Sequence, residues 1–444
     1  MTTPILRWTG ALRDLAPKDR AILERRLLRP TSELVRLTTA GIITDVAQRG
    51  DAALRDVARD LGEPKVESLE VPRAKWRAAL SKLPPELRCA LERGMRNVAT
   101  VHTATKPNTI DVSPEPGITI IRRADPIRRV GVYAPGGRAA YPSSLIMTVV
   151  PARVAGVPEI IVCAPPTADG LPAQVTLAAA ELAGASRVFA VGGAGAIAAM
   201  AFGTQSVPRV DRIVGPGNAY VAEAKRRLAD VVPIDCPAGP SEVLILADGT
   251  ASPAQIAAEL IAQAEHDADA IAIAVVPDMV LAKAVLGGLA AEVASAPRRD
   301  IIMESLRRSG GILTAPLDDS VAFANAFAPE HLLLAVADPG DVAMRITTAG
   351  TICIGVGQSV AFGDYLTGAN HVLPTGGAAR SWSGLSTSDF MRFTTVQWVS
   401  EDTRRSLAPD VAVIADAEGL NGHARAAWLS AVGDGIDSQP VEAA

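Results

Sequence analysis

Residues 129–164 read RVGVYAPGGRAAYPSSLIMTVVPARVAGVPEIIVCA, and this stretch decides the fold. It opens on the short apolar run Val130–Ala134 and passes through a Pro/Gly loop. A helix-length apolar segment, Ser144–Ala155, leads to a second apolar run at Glu159–Ala164. Two strand-length runs joined this way make a βαβ unit, whose strands are parallel and covered by helices. The rhythm continues outward. Strand candidates recur at Arg187–Val191 and Arg212–Val214, with helical segments at Leu177–Ala183, Ala196–Phe202 and Ala219–Leu228. A second series has strands at Glu242–Ala247, Ala270–Val276, Gly311–Thr314, Leu332–Val336 and Thr351–Ile354. Its helices are Pro253–His266, Met279–Ala294, Val321–Phe327 and Pro339–Thr348. The pattern predicts an α/β protein with two doubly wound halves, although no sequence repeat relates them.

The flanks have another texture. Ile22–Leu54 and Lys75–Val98 carry apolar residues at helical spacing among Arg, Glu and Asp. Val66–Val71 alternates as a strand does, and Asp111–Arg123 reads as a strand pair about a turn at Pro114–Gly117. Gly376–Asp389 is a Gly/Ser-rich loop, followed by a separate tail with a last helix at Gly422–Val432.

Composition narrows the class. A chain of 444 residues suggests roughly two to four domains. With 48% hydrophobic and 20% charged residues it is not a disordered tail. A net charge of −5 and the lack of a long Lys/Arg run argue against nucleic acid as the main partner. No uninterrupted apolar run approaches the ~18 residues of a membrane span. Met1–Gly10 has no basic segment leading into an apolar core, so no secretory leader is expected. Cys89, Cys163, Cys236 and Cys353 lie far apart; Cys163 and Cys353 sit in strand-like runs and read as reduced core thiols. The expectation is a cytoplasmic globular protein.

Candidate chemistry gathers on few residues. His102 reads as a surface or packing residue. Gln263 and His266 are three apart, so a helix carries both on one face, where they could hold a metal or simply form a polar helix end. Glu330 and His331 stand side by side at a strand entrance, as a proton-transfer pair or a solvated loop pair. Asp364 and His371 follow the strand Thr351–Ile354, where open α/β sheets place ligands beyond the carboxyl ends of strands. Asp364 is a hard oxygen ligand; His371 binds a ligand or pins its loop. His423 lies in the tail near Glu418. Gly193, Gly195 and Ala198 satisfy a G-x-G-x-x-A phosphate fingerprint with Asp211 downstream, and Pro135-Gly136-Gly137 and Gly215-Pro216-Gly217-Asn218 are further glycine loops after strands. A metal-assisted redox enzyme fits both halves. So does a metal hydrolase with incidental glycine loops, whereas a nucleotide-sensing protein without catalysis fits only the glycine-loop half.

Several segments together resemble the histidinol dehydrogenase family. They are RVGVYAPGG (129–137), AYPSS (140–144), GPGN (215–218), AGPSE (238–242), AQAEHD (262–267), PEHL (329–332), GDY (363–365) and NHVLPT (370–375). The resemblance runs from about residue 30 to about residue 430. It implies two Rossmann-like domains interleaved in sequence, with a helical arm at 1–28. The first domain would be 29–132 with 239–383, the second 133–238, and a tail domain at 384–444 would be exchanged in a homodimer. It implies oxidation of L-histidinol to L-histidine with two NAD, through bound L-histidinal, and one zinc ion per site. The zinc ligands would be Gln263, His266 and Asp364, with His423 of the partner subunit. Glu330 and His331 would move protons. Ser241, Glu418 and His371 would contact substrate, and Tyr133, Gly195 and Asn218 match NAD-contacting positions. Two positions depart from the family pattern: Gly195 stands where Gln is common, and Val360 where many members carry Glu. Relatives that oxidise other small alcohols, such as sulfonated propanediols, differ in just such pocket segments.

Overall fold

Continuous runs of Val, Ile, Leu and Ala suit strands covered on both faces, and the chain builds its two parallel sheets from them. The computed structural model describes residues 5–26, 32–136, 140–237 and 239–432. Its strands begin with β1 (Trp8–Ala11), β2 (Ile110–Val112), β3 (Ile118–Pro126), β4 (Arg129–Tyr133), β5 (Glu159–Ala164), β6 (Arg187–Ala190) and β7 (Arg212–Val214). They continue with β8 (Glu242–Ala247), β9 (Ile271–Val276), β10 (Gly310–Thr314), β11 (His331–Ala335), β12 (Thr351–Ile354) and β13 (Met391–Val399).

Six strands form one all-parallel sheet in the order β1-β10-β9-β8-β11-β12. Four form a second parallel sheet, β6-β5-β4-β7. The third is an antiparallel ribbon, β13-β3-β2. In the large sheet, helix Pro253–Ala264 lays Ile256, Ala257 and Leu260 against Val243, Ile245 and Leu333. Helix Leu317–Phe327 covers the other face, with Phe323 and Phe327 among Leu244, Leu246, Leu332 and Leu334. Truncating a fully buried leucine there, such as Leu332, costs about 2–5 kcal/mol. The small sheet is sandwiched likewise, by helices Pro142–Ala155 and Gln174–Ala183 on one face and by Gly193–Phe202 and Ala219–Leu228 on the other.

The two parallel sheets meet end to edge. Asp235 is hydrogen-bonded to the N–H of Gly215, just past the end of β7. The short segment 236–240 then brings the chain to Ser241 at the start of β8. The carboxyl edge of the small sheet thus lies beside the amino edge of the large one.

The structure departs from the sequence reading in places. Within 1–28, expected as a helical arm, Trp8–Ala11 is instead an edge strand beside β10, with Trp8 buried. Val66–Val71 forms no strand; it is extended chain with one bridge, Glu70 to Phe189, because it only borders the end of the small sheet. The hairpin at Asp111–Arg123 is present, turning at Gly117 with φ +81°, but gains β13 as a third strand. Helices Arg299–Ser309 and Glu401–Ala417 were not foreseen; Pro409 inside the latter disguises its periodicity. Gly137, Ala238, residues 1–4, 27–28 of the arm and 433–444 of the tail lie outside the described residues. Among the described residues, no helix is long and apolar enough to cross a membrane.

Candidate active site

A helix that follows a parallel strand runs back along it, so its last turn returns to the strand starts. Helix Pro253–Ala264 follows β8 and so carries Gln263 to the amino edge of the large sheet. His331 is the first residue of β11, paired with Val243 of β8 and Thr351 of β12. Helix Val360–Tyr365 brings Asp364 to the same place, with Asp364 Oδ1 3.2 Å from His331 Nε2. The candidate residues beyond β12 therefore converge on the amino edge, not beyond the carboxyl ends where they were expected.

Glu330 and His331 are both buried, which removes the solvated-loop reading. One carboxylate oxygen of Glu330, Oε2, accepts from Ser241 Oγ and from the Glu242 N–H, each at 2.7 Å. The same oxygen lies 3.7 Å from His331 Nδ1, which faces the Glu242 carbonyl at 3.3 Å. Burial opposes a charge on His331, but Glu330 and Asp364 outweigh it and lift its pKa well above the ordinary imidazole value. Burial likewise works to raise the Asp364 pKa. The close contact with His331 and the charges of His331, His371 and His266 prevail and lower it.

His371 has both ring nitrogens engaged. Nδ1 lies 2.8 Å from the Asp364 carbonyl, and Nε2 lies 3.3 Å from Ser144 Oγ. It pins the backbone of Asp364 and ties the large-sheet edge to a helix of the small sheet. Burial lowers its pKa, which keeps it neutral for that task. His102 is a packing residue, buried against Thr387 and Asn370.

Gln263 and His266 suit a metal. The Gln263 amide is buried with its nitrogen unpaired, and turning the amide exchanges nitrogen for oxygen at that place. His266 Nδ1 lies 2.9 Å from the Ala262 carbonyl, which leaves Nε2 as the free lone pair. Among the described residues no three His, Cys, Asp or Glu side chains gather as a metal cluster; Gln263, buried, His266, exposed just past the helix end, and Asp364 are the side chains that could hold one. His423 and Glu418 are exposed on the tail, and no hydrogen bond or ion pair among the described residues joins them to this edge.

The carboxyl edge of the small sheet holds the glycine loops. Tyr133 is buried, its pKa pushed up to about 12 by burial, and its Oη accepts from the Gly193 N–H at 3.1 Å. Gly193 has φ +60° and open space where a side chain would be. Gly195 differs: a Cβ there would stand 3.1 Å from Leu54 Cδ2, so the position is packed. Asp211 does not complete the fingerprint. It accepts from the Arg129 N–H at 2.8 Å, at the start of β4 and far from the glycine loops. Asn218 caps helix Ala219–Leu228 through Tyr220 and Val221, leaving its amide nitrogen without a hydrogen bond among the described residues. Composition and spacing did not single out Glu242 or Arg25, although an acid opening the wholly buried strand Glu242–Ala247 was a usable signal.

Glu330 and His331, buried, with Asp364 against the His331 ring, form an acid–base array of the kind an α/β enzyme uses to move protons. The sequence model of the histidinol dehydrogenase family matches residues 28–430. The histidinol dehydrogenase of Methanosarcina mazei is 44% identical, over 87% of this chain and 90% of its own length. That of Thermus thermophilus is also 44% identical, over 92% and 98%. The crystal structure of histidinol dehydrogenase from Elizabethkingia anophelis superposes with a TM-score of 0.90 at 32% identity, covering 97% of this chain and 99% of that one. The chain belongs to the histidinol dehydrogenase family.

Proposed function

We infer that the chain oxidises L-histidinol to L-histidine in two steps on one carbon, through L-histidinal held in the site. The convergence of Ser241, Glu330, His331 and Asp364 on one buried edge carries this reading. Gln263, His266 and Asp364 would hold one zinc ion together with His423 of the partner subunit; zinc there would orient the substrate as a Lewis acid. NAD, on the Tyr133, Gly195 and Asn218 side, would supply the acceptor for both oxidations.

The chain's own groups have separable tasks. The Glu242 carbonyl takes the Nδ1 proton of His331, so Nε2 is the atom that accepts the substrate's hydroxyl proton. Glu330 and Asp364 favour charge on this ring and so stabilise the proton once it is taken. Glu330 has Oε2 fixed by two donors, which leaves Oε1 to draw a proton from the water that adds to the aldehyde. Retention of the aldehyde between steps prevents its loss to solvent.

The tail supports a homodimer with shared sites: Val413, Ile414, Trp428 and Leu429 are exposed on its two helices, and His423 is exposed beside them. The proposed division at 29–132 with 239–383 and at 133–238 keeps β5–β7 apart from β8–β12, but β4 of the small sheet lies mostly in the 29–132 part, whose helices pack on that sheet. A biosynthetic, NAD-dependent reaction supports a cytoplasmic location. The deciding experiment follows NADH absorbance with L-histidinol on zinc-loaded and chelator-stripped protein. Zinc-dependent formation of two NADH per histidinol is expected; silence with histidinol on loaded protein contradicts the reading.

A further inference from the structure

Glu242 touches both proton-transfer residues without using its carboxylate. Its N–H donates to Glu330 Oε2 at 2.7 Å, and its carbonyl faces His331 Nδ1 at 3.3 Å. The carboxylate points the other way, into the protein, with only 1% of the side chain exposed. Oε1 accepts from Arg25 Nη2 at 2.5 Å and from the Gly376 N–H at 3.1 Å, while Oε2 is buried without a partner. Burial and the neighbouring Glu330 push this carboxyl up, and Arg25 works against them.

Arg25 comes from the N-terminal arm, just past helix Pro17–Leu23. It has φ +61°, a left-handed conformation that a non-glycine residue keeps only when its surroundings hold it there. They do: Nε donates to the Phe327 carbonyl at 3.2 Å, and the guanidinium lies 4.2 Å over the Phe327 ring. Arg380 clamps the arm further through the carbonyls of Glu24 and Ala326.

We propose that Arg25 and Glu242 are positioning residues: their buried ion pair anchors the start of β8, and the Glu242 backbone in turn sets the places of Glu330 and His331. The proposal rests on the acid–base reading of that pair. Without Arg25, a buried carboxylate keeps one donor and draws in water or shifts its strand. A displacement of about 1 Å at a proton-transfer centre is enough to cost about 100-fold in rate.

The test uses the full-length, zinc-loaded protein with R25M, R25K, E242Q, R25M/E242Q and, in parallel, H331N. Circular dichroism and zinc content normalise turnover to folded, loaded sites. R25M is expected to lower kcat by about 10- to 100-fold. The Kd for NAD, read by protein fluorescence, should stay within about twofold, because Tyr133 and Asn218 are untouched. R25K, which keeps the charge, should retain most of the turnover. R25M/E242Q, which leaves no lone buried charge, should recover to within about threefold of E242Q alone. Parent-like turnover in R25M beside an inactive H331N overturns the positioning role and leaves the site reading standing. A loss not recovered in the double variant, or matched by equal weakening of NAD, makes the pair merely structural and overturns it too. A fully active H331N removes the site reading, and the proposal with it.

Discussion

The amino edge of the large sheet and the carboxyl edge of the small one lie side by side and are built from different materials. On the first, Glu330, His331, Glu242 and Asp364 are pinned by one another and by backbone groups. On the second, Gly193, the Tyr133 hydroxyl and a capped helix present backbone and small polar groups. The contrast suits the tasks proposed for the two edges. Moving protons needs ionisable groups held in fixed places away from water, which short strand starts in a packed sheet provide. Holding a large flat cofactor needs close backbone approach, which glycine loops at strand ends provide.

The contrast can be broken most sharply at His331. H331N should lower both oxidations by about 10²–10⁴-fold, measured separately with L-histidinol and L-histidinal, with NAD binding kept. Next comes the small-sheet side, where Lys225 and Asp235 form a buried pair that holds the Gly215 N–H and carbonyl, each side chain 3% exposed. K225M strands Asp235 and should destabilise the protein by about 3–5 kcal/mol, read as a lower denaturation midpoint. At Gly195, substitution by Gln drives a side chain against Leu54 and should cost about 1–3 kcal/mol. Adding L54A should relieve most of that, and unchanged stability in G195Q alone would show the position to be open.

The smallest effect concerns pH. Burial lowers the His102 pKa below 6.5, so the folded protein keeps the ring neutral while the unfolded chain takes up a proton. Its contribution to stability is therefore full above the unfolded value and is lost as pH falls from 6.5 toward the lowered folded value. H102Q should flatten the stability profile in that window, and an unaltered profile would mean that other groups govern it.

Much of this contrast was readable from residues alone. Fully apolar runs such as Val243–Leu246 and Ile271–Val276 announce buried parallel strands because nothing polar interrupts them. The adjacency of Glu330 and His331 is local spacing and was legible, whereas the helix expected to carry both Gln263 and His266 ends at Ala264, leaving Gln263 buried and His266 exposed past its end. What spacing could not show is direction. Asp364 follows β12 in the chain, yet a return helix carries it to the opposite edge of the sheet. The G-x-G-x-x-A match misled for a related reason: Asp211 is near in sequence but bound at the start of β4. Contacts between distant segments, such as Arg25 with Glu242 and Ser144 with His371, leave no periodic trace at all. The strand Met391–Val399 carries the aromatic and β-branched residues Phe393, Thr394, Val396 and Trp398, but went unread behind the Gly/Ser-rich loop that precedes it.

The division of labour between Glu330 and His331 is tested most directly in E330Q, by timing the two oxidations separately with L-histidinol and with L-histidinal. The account predicts that aldehyde oxidation slows by about 10²-fold or more while alcohol oxidation stays within about threefold of the parent. Equal loss in both steps would contradict it.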